Sequence, residues 1–481
     1  LLTIDEACHG INGDHYIKGL NRSHGSGYFW TGIANGKVGK TRWLGENETK
    51  FVDEKLKLAV SQRFEAAKNN VMIGHVYMDH LKDERRPLAK IETASTRIMS
   101  SAQLDFVVAV RMMFGAFVAH VVSHYNFAEC CVGINPDSDD WDLMARQFLA
   151  HGNIIDLDFE KYDGSLLPPV FFWMLEFIND WYDDGDENAH IRWVFLQDMV
   201  FAIRMCNGIV YQSSHGNPSG QPLTTMFNSI FNSTITLYSM CLCFDNPSLA
   251  IASSHQWSKV VNFGDDVVIG VSNTVSDVVK PYRMIENYAS IGMKATAADK
   301  VGKVSDWKKL TDCTFLKHGF RYDKEIGRWV GPLDLSVIME MVNWTHDGAS
   351  ISVTSDIVNT AIRLLVPHGR GVFNTRTKQI LRAIRSVDSK IIVETVDYDS
   401  LLASRLTCGI GAYYALLDKT SDGNLGLAVA QFGLPSERPI SVGRKTGGTR
   451  KGSGFPPHIM PQKSAFHGGS SSTTSVSKRR T

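Results

Sequence analysis

Val260-Val261-Asn262-Phe263-Gly264-Asp265-Asp266-Val267-Val268-Ile269-Gly270 sets two β-branched, apolar runs on either side of a Gly-Asp-Asp. The pattern predicts two strands joined by a tight hairpin, since Gly and Asp tolerate the positive φ such turns demand. The turn places adjacent carboxylates at the tip of a buried sheet, where at least one reaches a divalent cation. Mg²⁺ binds through a few carboxylates plus substrate phosphate oxygens, so this arrangement suits phosphoryl transfer. The tripeptide alone arises by chance in roughly one chain in ten of this length. Its meaning depends on its surroundings.

Upstream, Ile154-Ile155-Asp156-Leu157-Asp158-Phe159-Glu160-Lys161-Tyr162-Asp163-Gly164 puts an Asp at the end of an apolar strand and another five residues on. Pro168-Pro169 then opens an apolar helix through Trp181, Pro being tolerated in a first turn. A strand ending in a carboxylate, a turn and a helix commonly present a metal ligand, and as commonly form a turn with solvated Asp residues. His215-Gly216-Asn217-Pro218-Ser219-Gly220-Gln221-Pro222 is a loop leading into a helix over 223–232. Thr224, Asn228 and Asn232 share one face of that helix. A helix leaving a Gly-rich loop offers N–H groups to phosphate; alternatively these side chains bond neighbouring helices.

Lys82-Asp83-Glu84-Arg85-Arg86-Pro87-Leu88-Ala89-Lys90-Ile91-Glu92, with Arg97, reads as an extended strand with cations on one face, a wall for phosphate. Taken alone, a solvated charged hairpin is the simpler reading. Ser23-His24-Gly25-Ser26-Gly27-Tyr28 is a loop whose backbone could approach phosphate, or an ordinary Gly-rich connector, in a first fifty residues with few periodic apolar positions. Helices are expected over 51–69, 101–126, 278–291, 336–344, 355–366, 378–384 and 401–417, and a hairpin over 315–330. From Arg438 the chain is Gly/Ser/Thr-rich and basic without an acidic residue, which predicts disorder.

The 481 residues, 43% hydrophobic, suffice for a large core. Fifty basic residues balance fifty acidic ones, so any basic channel is local rather than global. Eight Cys without paired CxxC spacing fit free thiols in a reducing compartment and argue against structural zinc. Met112 to Val122, the most apolar stretch, is read as a buried helix too short to span a bilayer. Leu1-Leu2-Thr3-Ile4 lacks Met and any signal-like region, which predicts a polyprotein product or a trimmed fragment.

In order, these pieces resemble the palm of the RNA-dependent RNA polymerases of picornaviruses and other positive-strand RNA viruses, over most of residues 20–335 and more loosely beyond. Asp158-x4-Asp163 resembles the family's first palm motif, and Ser219-Gly220, Thr224 and Asn228 match its Ser-Gly-x3-Thr-x3-Asn spacing. Gly264-Asp265-Asp266 is similar to its metal-binding turn. Lys82, Arg86, Lys90 and Arg97 resemble its triphosphate-contacting fingers motif, and Ala298-Asp299-Lys300 the stretch with its proposed general acid. Phe315-Leu316-Lys317 resembles its primer-grip hairpin, and Ser26-Gly27 loosely its template-entrance loop. Three departures stand out: Phe263 where the family usually has Tyr, Ser95 where relatives often carry a base, and Phe29 where Pro often follows the aromatic.

The resemblance implies an α+β right-hand polymerase: fingers over 1–150 with their N-terminal part incomplete, palm over 151–170 and 214–332, an insertion over 171–213, a helical thumb over 333–437, and over 438–481 a disordered basic tail or the start of the next polyprotein segment. It implies RNA-templated nucleotidyl transfer with two Mg²⁺ ions, replaceable by Mn²⁺, held by Asp158 and Asp265 with Asp266 auxiliary. Lys300 would protonate pyrophosphate, while Asp163, Asn228 and Ser219 surround the ribose. The implied partners are RNA template and primer, nucleoside triphosphates, a small genome-linked protein primer and other replication proteins of one polyprotein. The implied location is host cytoplasm at membrane-associated replication complexes, with no transmembrane segment in this chain. A reverse transcriptase-like polymerase and an inactive RNA-binding palm are the alternatives.

Overall fold

The structure is a computed structural model describing residues 1–406, apart from 35–38, 85, 87, 126–128, 299–303, 305, 345–349, 388–390 and 394–396. The hairpin forms as expected. Ser258–Phe263 and Asp266–Ser272 pair antiparallel with Phe263 opposite Asp266, leaving Gly264 and Asp265 as a two-residue turn. Gly264 has φ +65°, a conformation in which a side chain would be strained. The second strand pairs with Gly152–Phe159, and that strand with Ala295–Ala297, to give a four-stranded antiparallel sheet.

Both faces of this sheet are covered. Ile155, Leu157 and Phe159 enter the main core with Phe227, Phe231, Met284 and Tyr288, from helices Thr224–Cys241 and Pro281–Ser290. Ile154, Val261 and Val268 join a second core with Trp141, Phe148, Phe315 and Phe320. A strand buried on both sides reads as a continuous apolar run, which is why 152–159 and 266–272 stand out in the sequence.

A second sheet is assembled from distant segments. Val76–Leu81 pairs antiparallel with Ile98–Ser101 and parallel with Ile203–Cys206, which continues into Ile209–Gln212. Residues 171–213 therefore complete a sheet begun in the first hundred residues. Between the sheets' strands lie helices Pro168–Tyr182, as expected, and Asp186–Val200, whose apolar residues lack a clean period and which the sequence reading omits.

Two expectations are corrected, and helices appear where none was expected. Leu88–Glu92 is a short helix, all five residues exposed, rather than a strand. Three alternating positions are too few to separate period two from 3.6, and Leu, Ala, Lys and Glu favour helix. The first fifty residues hold helices Ile4–His9, Tyr28–Gly32 and Thr41–Leu44; the first carries a complete Thr3/Glu6 capping box, a local signal present in the sequence. The apolar helix runs Leu104–Ser123, 20 residues with mean hydropathy 1.9, long and apolar enough by those measures to cross a membrane. Phe106, Val108, Val110, Met113 and Phe114 on it are buried in the main core, and its Asp105 accepts from Arg63 (2.5 Å) and Trp30 (2.6 Å).

The C-terminal described region is helical: Leu335–Met341, Ile351–Leu364, Arg370–Val387 and Tyr398–Leu406, around a core of Ile338, Val358, Ile362, Leu365, Phe373 and Ile380. The expected stretch over 407–417 and the tail over 438–481 lie outside the described residues.

Candidate active site

The Gly-Asp-Asp turn is held by helix Thr224–Cys241. Gly264 N–H donates to Ser229 Oγ (2.8 Å), whose hydroxyl donates to the Thr225 carbonyl (2.7 Å). Asn232 Nδ2 donates to the carbonyls of Gly264 (2.9 Å) and Asp265 (3.3 Å). Asn232 Oδ1 accepts from Thr236, and Thr236 Oγ1 accepts from Tyr288 OH. All four of these supporting side chains are fully buried. A fully bonded buried network specifies one geometry, so the turn's backbone, and the carboxylates on it, are set from below. Of these residues, Asn232 is signalled by its four-residue spacing from Asn228; Ser229, Thr236 and Tyr288 carry no local signal.

Acidic groups converge at the turn. Solvent touches Asp265, yet the surrounding protein desolvates its carboxyl and raises its pKa. The charges of Asp158 and Asp163 raise it further, while Arg97 works in the opposite direction. Carboxylates that destabilise one another in this way are relieved by a cation. Among the described residues no cluster of three His, Cys, Asp or Glu side chains is drawn close enough to hold a metal by itself. The donor set nevertheless fits Mg²⁺, which binds through one or two carboxylates and completes its shell with water and phosphate oxygens.

Asp163, on the one-turn helix Tyr162–Ser165, heads an amide relay. Asn228 Nδ2 donates to Asp163 Oδ1 (2.6 Å), and Asn228 Oδ1 accepts from Asn217 (2.8 Å). Asn217 Oδ1 in turn accepts from Gln221 (2.9 Å), whose Oε1 accepts the Leu223 N–H (2.8 Å). Burial raises the Asp163 carboxyl, with the Asn228 bond, Arg97, Arg204 and Lys82 pulling the other way. The relay fixes which end of the Asn228 amide faces Asp163. Asn217 and Gln221, in the turn-rich loop, are members that sequence reading assigns no role.

Ser219 and Gly220 meet the second sheet. Ser100 N–H donates to Ser219 Oγ (3.1 Å), and Gly220 bridges Ser101. A Cβ on Gly220 would lie 1.8 Å from the Ser100 carbonyl oxygen, so only glycine fits. Thr224 donates to the carbonyls of Pro218 (2.7 Å) and Gln221 (3.1 Å), closing the loop on itself. Beneath, Asp79 accepts from Ser100 (2.6 Å), Arg204 (3.0 Å) and Tyr211 (2.5 Å), a network the sequence does not reveal.

The basic segment is not a row of free cations. Glu84 takes ion pairs from Lys82 (3.5 Å), Arg86 (3.4 Å) and Arg97 (3.6 Å), and Arg86 also donates to the Ser95 carbonyl (3.0 Å). Lys90 is exposed on the short helix. On the triphosphate-contacting role that the resemblance implies for these cations, Glu84→Gln is expected to tighten nucleoside triphosphate binding about threefold, each such exposed pair being weak. Nucleotide Kd measured by titration checks this; looser binding would mean that Glu84 instead orients the cations.

Phe315 is buried beside Trp141, and Leu316 and Lys317 both have positive φ in the turn joining Thr314–Phe315 to His318–Gly319. Lys317 is exposed at that tip. Ser26 is buried, its hydroxyl against Thr31, and a Cβ on Gly27 would meet the Ala102 carbonyl at 2.5 Å. These two are thus fixed against the start of helix Leu104–Ser123. Asp299 and Lys300 lie outside the described residues.

Comparison with known proteins bears on the family and the fold. Residues 2–387 match the family model of viral RNA-dependent RNA polymerase. The chain is 33% identical over 395 residues to the replicase polyprotein of acute bee paralysis virus (strain Rothamsted), covering 80% of this chain and 21% of that one. With the replicase polyprotein of cricket paralysis virus it shares 29% identity over 390 residues, 77% of this chain and 22% of the relative. It thus spans about a fifth of the length of these curated relatives. A solved sicinivirus 3Dpol RNA-dependent RNA polymerase superposes with TM-score 0.70 at 21% identity, over 84% of this chain and 80% of that one, showing the right-hand polymerase fold. The reverse transcriptase alternative gives way to these matches: the chain belongs to the viral RNA-dependent RNA polymerase family.

Proposed function

We propose that the chain extends an RNA primer on an RNA template, consuming nucleoside triphosphates and releasing pyrophosphate. The observation that carries this reading is that one helix, Thr224–Cys241, holds both the Gly264-Asp265 turn, through Ser229 and Asn232, and the Asp163 carboxylate, through Asn228. Acids for metal, an amide–carboxylate pair for ribose and cations for phosphate are the three recognition elements a ribonucleotide needs. Asp158 and Asp265 would hold two Mg²⁺ ions, with Asp266 auxiliary and Mn²⁺ a substitute. Such ions, when bound, supply a lowered pKa for the primer 3′-hydroxyl and charge for the departing pyrophosphate.

The chain's own residues do the positioning. Arg86, Lys90, Arg97 and Lys82 bind the triphosphate, the Arg forks matching phosphate oxygens. Lys300 is assigned the proton delivered to pyrophosphate. Asn228 Nδ2 has one N–H engaged by Asp163; the second is the donor for a ribose 2′-hydroxyl, with Ser219, Gly220 and Thr224 holding the loop around it. Asn228→Ala is therefore expected to lower the preference for ribo- over deoxyribonucleotides about tenfold, the worth of one such bond. Competition between UTP and its deoxy analogue reads this directly, and an unchanged ratio would remove the sugar role. Ser26, Gly27, Phe315, Leu316 and Lys317 are assigned to the RNA strands.

The relatives being polyproteins, other replication proteins of the same polyprotein are the natural partners, and a small genome-linked protein a candidate primer. Work in the host cytoplasm at membrane-associated complexes belongs to the same reading. Extension of oligo(U) on poly(A), with each nucleotide and metal in turn, tests the function. Metal-dependent UMP incorporation is expected; its absence, or equal use of deoxynucleotide, would overturn it.

A further inference from the structure

One acidic residue on the strand that carries Asp158 is committed to partners within the chain. Asp156 lies two residues before Asp158 on strand Gly152–Phe159, so both carboxylates leave the same face, about 7 Å apart along the strand. Asp158 is partly exposed, whereas Asp156 is 2% exposed and fully engaged. Its Oδ1 accepts from Lys308 Nζ (2.8 Å), and its Oδ2 accepts from the Thr314 backbone N–H (2.9 Å) and hydroxyl (3.3 Å). Lys308 N–H also donates to the Ile154 carbonyl (2.7 Å). The segment entering the 314–319 hairpin is thereby stitched to the strand that carries Asp158.

We propose that Asp156 is a positioning residue for the primer: it fixes the distance between the 314–319 hairpin and the Asp158 carboxylate. Three observations converge. The carboxylate is bonded to the first residue of the hairpin, so the tether acts at the hairpin's base. Phe315, the next residue, is buried against Trp141, which itself stacks on Phe320, on this same face, so the hairpin is clamped at both sides of its entry. Leu316 and Lys317 then turn sharply with φ +52° and +63°, leaving the exposed Lys317 at a defined point. A strand two residues from the metal site thus measures out the position of the strand-gripping tip. The inference rests on the polymerase reading for the roles of the hairpin and Asp158; the tether itself does not.

The test uses the full chain with Asp156→Ala and Asp156→Asn, the latter keeping one acceptor for Thr314 while losing the charge opposite Lys308. A double change, Asp156→Leu with Lys308→Met, keeps the buried volume apolar and guards against misfolding. Amide exchange at Thr314–Gly319 and the dwell time of primer–template are measured with the nucleotide KM. Asp156→Ala is expected to speed hairpin exchange and shorten the dwell time about tenfold or more each, charged hydrogen bonds being lost. Nucleotide KM stays within about twofold, and Asp156→Asn falls between. Unchanged exchange would show that the tether lies elsewhere, and faster exchange with unaltered primer dwell would show that the hairpin does not grip primer. Either overturns the proposal. A parent chain inactive on every primer–template would instead sink the polymerase reading, with the exchange result still deciding the tether.

Discussion

Asp265→Asn is expected to leave primer–template binding near wild type while primer extension with Mg²⁺ falls about 10³-fold or more, ~4 kcal/mol of transition-state stabilisation. The change is nearly isosteric and keeps the turn's backbone bonds to Ser229 and Asn232, so the loss isolates the negative charge. It also relieves the repulsion that the charges of Asp158 and Asp163 exert on this partly desolvated carboxyl, so the folded chain without metal should be no less stable. Asp158→Asn should match the defect, whereas Asp266→Asn should cost less. Single-turnover incorporation and filter binding of primer–template separate chemistry from binding. Activity within tenfold of wild type for Asp265→Asn would end the metal assignment.

The second large effect is architectural. Gly220→Ala is expected to destabilise the fold by ~2–3 kcal/mol and to cripple incorporation, through overpacking. Its Cβ would sit 1.8 Å from the Ser100 carbonyl oxygen and 2.7 Å from that carbonyl carbon, backbone atoms of a paired strand that cannot rotate away. Relief requires breaking the Gly220–Ser101 bridge and shifting Ser219. Ser219→Ala removes only a hydroxyl that accepts from Ser100 N–H, and serves as the comparison. Thermal unfolding and single-turnover rates of the two variants check this; a Gly220→Ala variant as stable as its parent would mean that the loop stands off the strand.

What could be read from the sequence was whatever local periodicity encodes. Gly264-Asp265-Asp266 announces its hairpin through flanking β-branched runs, and Thr224 and Asn228 announce a shared helical face through four-residue spacing. The Asn228–Asp163 bond, 2.6 Å in the structure, was legible only through the resemblance, which pairs motifs lying 65 residues apart. Contacts without such a template stayed hidden. Nothing near Asp156 says that its partner is Lys308, nothing near Arg63 points to Asp105, and Arg204 gives no local sign of Asp79. The short helix over 88–92 was misread for the opposite reason, too few residues to define a period. The buried charges at Asp156, Asp79 and Asp105 are the least legible class here, because their partners are chosen by tertiary geometry rather than by neighbours in sequence.

The parallel pairing of Val76–Leu81 with Ile203–Cys206 has a consequence for biosynthesis. A nascent chain emerging at some 5–20 residues per second leaves the first of these strands waiting on the order of ten seconds for its partner. During that interval Val76, Tyr77 and Met78 have only the antiparallel neighbour Ile98–Ser101, and a two-stranded hairpin is marginal in water. The sheet against which Ser219 and Gly220 close is therefore completed late, after the apolar helix Leu104–Ser123 has been made. The order of synthesis lets the loop carrying Ser219 and Gly220 close on its sheet only once residues 203–212 have been made, and a slowly translated chain would expose that edge to aggregation.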